Sequence, residues 1–122
     1  MLSSWQDELV DLSSLTRIQY NTLKSFILIK EGKINLQIAL KNHKKLGIRP
    51  GTYYRILKQA RTNVLQSVYT LLLAAQVGLL RPEDVQRLLS TVAAIPPGLD
   101  EEKRSATVEI IRTLVTRIVM SQ

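Results

Sequence analysis

Arg49, Thr52, Arg55, Lys58 and Gln59 fall within one short stretch, LGIRPGTYYRILKQAR, covering residues 46–61. Wound as a helix, this stretch places Tyr53, Ile56, Leu57, Ala60 and Val64 on one stripe at ~100° per residue. Arg55, Lys58, Gln59 and Thr62 then fall on the opposite side. Guanidinium and amide groups held outward in this way suit the edges of base pairs, Arg with guanine and Gln with adenine. Arg55, Lys58 and Gln59, together with Arg49 and Thr52 at the leading end of the same stretch, are the candidates for base contacts. Lys41, Lys44, Lys45, Gly51, Tyr54 and Arg61 are the candidates for phosphate contacts. Gly51 belongs with them because it has no side chain, so a phosphate can approach the N–H groups that open a helix.

The distribution of charge points the same way. The chain of 122 residues carries a net charge of +7. From Arg17 to Arg61 there are eleven Lys or Arg and one acid, Glu31. Residues 1–16 hold three acids and no base, and residues 62–122 hold six of each. The positive excess thus sits in one segment, which fits a polyanionic partner better than a general need for solubility.

Other chemistry is poorly supplied. There is no cysteine, which excludes disulfides, thiolate catalysis and zinc–cysteine sites. The single histidine, His43, stands among lysines and reads as a surface or packing residue. The five glycines are scattered singly, so no phosphate-cradling loop is visible. Asp100, Glu101 and Glu102 read as a helix cap rather than a cation site. The expectation is a protein that is not an enzyme, with no cofactor, no metal and no small-molecule ligand.

The elements that must position these groups read as helices. Residues 3–13 form a short first helix with Trp5, Leu9 and Leu12 on one side. Thr16 and Gln19 have capping-box spacing and open a helix that Gly32 ends. Asn35 caps the next helix, which carries Lys41, Lys44 and Lys45 toward an end at Leu46–Gly47. Pro50 opens the basic helix, and nothing breaks it before Val77. Pro82 opens another, with Val85, Leu88, Leu89, Val92 and Ile95 as its buried stripe. Pro96-Pro97-Gly98 breaks the chain, and Asp100 caps a last helix lined by Val108, Ile111, Val115 and Ile118.

The run LTRIQYNTLKSFILIKEGKINLQIA, followed by LGIRPGTYYRIL, resembles the helix-turn-helix of LuxR-type regulators and of sigma-factor region 4. The likeness covers Leu15 to about Arg61. It implies sequence-specific binding to double-stranded DNA, with Arg49, Thr52, Arg55 and Lys58 touching DNA. It also implies Leu46, Ile48 and Tyr53 in the core. His43 stands where the family has a small residue, and Arg49 where it has a capping Ser or Thr.

The expected fold is all-α: a helix-turn-helix unit over 1–61, then a helical dimerisation or bundle region over 62–122, possible also as one continuous domain. The segment from Val64 to Leu80 is too short and too interrupted to span a membrane and reads as a buried helix. Val64, Leu65, Val68, Leu72, Ile111, Val115 and Ile118 are the candidates for a dimer interface, against the alternative of a monomeric bundle. No secretion signal is expected, because acids follow Met1–Trp5 in place of a basic and apolar leader. The expected protein is a cytoplasmic, homodimeric transcriptional regulator. Two alternatives remain: a centromere-binding or chromatin-architectural protein, and a helical protein-interaction adaptor.

Overall fold

The computed structural model describes residues 4–43 and 47–120. Among them are six helices and no strand: α1 Trp5–Leu12, α2 Arg17–Lys30, α3 Leu36–Asn42, α4 Pro50–Gln76, α5 Pro82–Ala93 and α6 Glu101–Met120. The protein is all-α. Two compact units divide it. One is Val10–Ser67; the other joins the described residues up to Leu9 with those from Val68 onward. The division expected at 61/62 falls inside α4, and the compact units part at 67/68.

Local chemistry accounts for the helix ends in the first unit. Thr16 Oγ1 accepts from the Gln19 N–H at 3.1 Å, and the Gln19 side chain accepts from the Thr16 N–H at 3.2 Å. This is the reciprocal capping box. At the other end of α2, Lys33 N–H donates to the Leu28 carbonyl and Gly32 N–H to the Ile29 carbonyl. Gly32 has φ +74°. This left-handed closure satisfies carbonyls that the helix leaves unpaired. Asn35 Oδ1 caps α3 by accepting from the Ile38 N–H at 2.9 Å.

The core of this unit is Ala39, Tyr53 and Leu57, with Leu23, Phe26, Ile29, Ile34, Leu36, Leu40 and Ile48 packed around them. Three helices and the chain leading into α4 thus share one apolar centre. Burying a side chain such as Leu57 contributes about 1.5–3 kcal/mol. Polar groups bind the same centre. The Ser25 hydroxyl donates to the Thr22 carbonyl at 2.9 Å and lies 2.6 Å from Tyr53 OH. Its single proton is used, so Tyr53 donates and Ser25 accepts.

The sequence reading differs from the structure at several places. Helix α3 ends at Asn42 instead of continuing to Gly47. His43 leaves the helix with ψ 104° and turns its ring inward, where Nε2 lies 2.6 Å from Thr22 Oγ1. Leu46 was expected in the core and Lys44 and Lys45 on the helix; all three lie outside the described residues. In α1 the buried residue is Val10, while Leu12 is exposed.

In the second unit α5 packs on α6. Asp100 Oδ1 accepts from the Lys103 N–H at 2.8 Å and caps α6. Leu80 and Ile111 are buried. Leu89, expected inside, is 67% exposed. The second half of α4, whose apolar composition predicts cover within a bundle or by a second copy, is exposed in the single chain at Tyr69, Leu72, Leu73 and Val77. Glu8 and Arg104 form an ion pair at 3.6 Å. No described helix is long and apolar enough to cross a membrane.

Candidate nucleic-acid interface

The first half of α4 is anchored by one face and free on the other. Tyr53, Ile56, Leu57 and Ala60 are buried, as the stripe predicts, whereas Val64 at its end is exposed. Arg55, Lys58, Gln59 and Thr62 are exposed on the opposite side. Tyr53 fixes the rotation of the helix. Its ring is almost wholly buried, its hydroxyl reaches Ser25, and its edge meets His43 with ring centroids 6.0 Å apart. Turning the helix to hide Arg55 would pull this ring and its hydroxyl out of the core.

The chain enters α4 through Gly47, whose φ is +76°. A Cβ at Gly47 would stand 2.9 Å from the Leu40 carbonyl oxygen, which is backbone and cannot swing away. The next residue, Ile48, donates its N–H to that same oxygen at 3.1 Å. The turn thus ties the end of α3 to the start of α4. Arg49 is exposed, and its carbonyl accepts from the Tyr53 N–H at 3.0 Å, so it occupies the position just ahead of the helix. Gly51 is exposed, with nothing within 4 Å of where a Cβ would be. Thr52 is half-buried, and Lys41 on α3 is exposed.

Electrostatics follow from the composition of the unit. Residues 10–67 hold eleven Lys or Arg and two acids, Asp11 and Glu31. Asp11 pairs with Arg17 at 2.9 Å and Glu31 with Lys33 at 3.5 Å. The hydrogen bond from the Arg17 guanidinium holds the Asp11 carboxyl below its usual range. Among the described residues no carboxylate pairs with Lys41, Arg49, Arg55, Lys58 or Arg61. Arg61 instead lies over the Phe26 ring, 5.3 Å from its centroid, with Lys30 at 5.4 Å from the same ring. Tyr54 is exposed and meets Tyr53 edge to face.

Arg49, Arg55, Lys58 and Gln59 are thus exposed residues of the segment that opens α4, with Gly51 and Tyr54 beside them. Lys44 and Lys45 fall outside the described residues. Of the residues expected at a dimer contact, Leu72 is 58% exposed, Leu65 54% and Val68 47%. Val64 and Val115 are also exposed, and Ile118 is half-buried. Ile111 is a correction: at 5% exposure it belongs to the interior of its own unit. Sequence reasoning missed the Thr22–His43 and Ser25–Tyr53 pairs. Helical periodicity marks Tyr53 as buried but gives no sign that hydroxyls 28 residues apart meet.

Comparison with protein-family models, with curated proteins and with solved structures gave no significant match for this chain.

Proposed function

We propose that residues 10–67 bind double-stranded DNA as a helix-turn-helix unit, with α3 and α4 joined by the Gly47 turn. The first half of α4 enters the major groove. One observation carries this reading: Arg55, Lys58 and Gln59 stand exposed, opposite a buried stripe that Tyr53 locks in place. Arg49, Arg55, Lys58 and Gln59 read base edges. Lys41, Gly51 and Arg61 meet phosphates, with the helix N-terminus adding its own attraction.

The exposed apolar residues of Val68–Gln76 and of α6 favour pairing of two copies. Leu72 and Leu73 are neutral side chains in a stretch, Thr62 to Leu80, with no charge of either sign. Two such surfaces meet without repulsion. A two-fold pair of recognition helices reads half-sites one DNA turn, ~34 Å, or a multiple of it apart. The reading is that of a homodimeric transcriptional regulator.

Selection from random duplex DNA with the purified protein tests the proposal. A short enriched motif is expected, with affinity that falls steeply as salt rises. Arg55→Ala should cost about 1–3 kcal/mol of binding and relax preference at one base pair. Affinity indifferent to salt, or an Arg55→Ala protein that binds like the parent, removes this surface from the interaction.

A further inference from the structure

A groove of about 390 Å³ opens between α2 and α3, within the first unit. Its volume lies toward the lower end of the ~300–1,000 Å³ typical of small-molecule sites. Its walls are apolar: Ile18 and Leu28 on α2, Ile34 just ahead of α3 and Ile38 on α3. Ile18 and Ile38 are exposed, though each is a large aliphatic side chain. The polar groups of the lining fall into two sets that differ in what they can offer a ligand.

The first set is Ser25 and His43. The Ser25 proton goes to the Thr22 carbonyl while its oxygen accepts from Tyr53. The Thr22 hydroxyl donates to the Ile18 carbonyl at 2.7 Å, so His43 Nε2–H is the donor in the Thr22–His43 contact. The Ser25 hydroxyl and His43 Nε2 are thus both engaged. The second set is Asn21, Lys24 and Asn42, all exposed. Their side chains supply amide N–H groups and one ammonium. No lining residue is acidic, and among the described residues no carboxylate pairs with Lys24.

We propose that this groove binds a small amphipathic monoanion, with an aliphatic body along Ile18, Leu28, Ile34 and Ile38 and a carboxylate head at Lys24, Asn21 and Asn42. An aliphatic body gains from leaving water against these walls. The head stays at the wet edge, where its charge costs little to hold and the lysine favours it. A cationic or strongly acidic polymeric partner fits less well: Lys24 repels the first, and the second finds isoleucine and leucine where it needs further cations. The site is separate from the outward face of α4 and does not depend on the DNA-binding reading.

Nuclear magnetic resonance of the labelled full chain, with no DNA in the sample, tests this. Sodium octanoate and 1-octanol are the two probes. Octanoate should give saturable shifts confined to residues 18–28 and 34–43, including the side-chain amides of Asn21 and Asn42. It should bind more tightly than octanol. Lys24 is exposed, so Lys24→Glu should fold normally. That variant should weaken octanoate about ten-fold, the order expected for reversing one exposed charge contact. Octanol affinity should change less than about two-fold, since it carries no charge to respond. Shifts centred on the apolar residues of α6, no saturable shift, or octanol binding as well as octanoate would overturn the proposal. So would octanoate affinity unchanged by Lys24→Glu.

Discussion

Two glycines with nearly equal φ show how different the demands on a single residue can be. Gly32 and Gly47 lie at +74° and +76°. Around Gly32 a Cβ would meet nothing within 4 Å, whereas at Gly47 it would meet the Leu40 carbonyl at 2.9 Å. Gly47→Ala should therefore carry both the left-handed backbone cost, about 1–3 kcal/mol, and a clash. Gly32→Ala should carry the backbone cost alone. Paired urea denaturation curves check this, with Gly47→Ala expected as the less stable protein. A second residue-scale effect concerns acid. Hydrogen bonds from the Arg81 guanidinium at 3.3 and 3.4 Å hold the buried Asp84 carboxyl below its usual range. A carboxyl lowered in the folded state adds stability at pH values above the unfolded value, ~3.9. That stability fades as the pH falls below ~3.9 and through the folded value. Melting temperature followed from pH 6 to pH 2 should show this loss, and Asp84→Asn should flatten it.

At the scale of helices, the ends were the most legible part of the sequence. Thr16 with Gln19, Asn35, Pro50, Pro82 and Asp100 each mark a start with a group whose local chemistry needs no distant partner. Thr16→Ala should cost about 1 kcal/mol, the usual value of such a cap. Thermal unfolding by circular dichroism measures it, and Gln19→Ala should cost part of the same amount, because it removes the reciprocal bond to the Thr16 N–H. The unforeseen end was that of α3. There His43 leaves the helix and meets Thr22, 21 positions earlier, and no local pattern records that pairing. The buried face of α4 was equally legible as far as Ala60, where the periodic stripe coincides with Tyr53 and Leu57 in the core. Beyond Ala60 the apolar pattern persists but the cover does not. Hydrophobicity states that a surface prefers to leave water; it does not state whether the cover comes from the same chain. The candidate DNA surface was readable because exposure opposite a buried stripe follows from helical geometry. The groove between α2 and α3 was not, since it arises from two stripes in separate helices.

Across the whole molecule, the two compact units differ in charge. Residues 10–67 hold eleven bases against two acids, while the remaining residues hold six against eight. The first composition suits nucleic acid. The second, with Tyr69, Leu72, Leu73 and Ile110 exposed, suits association between copies. Leu72→Glu should convert the proposed dimer to a monomer, because facing carboxylates would repel in place of an apolar contact. Light scattering with the two proteins at equal concentration reads the mass. A parent chain that is already monomeric at tens of micromolar would exclude the dimer.

The charge-free run in α4 has a practical result. Trypsin cuts after lysine or arginine and spares such a bond when proline follows. Arg61 is the last ordinary target before Arg87, because Pro82 follows Arg81. The division at 67/68 therefore falls within a stretch that trypsin cannot cleave. Brief digestion should leave the peptide from Thr62 to Arg87 whole, and an enzyme that prefers aromatic residues, cutting at Tyr69, is the tool for opening the helix there.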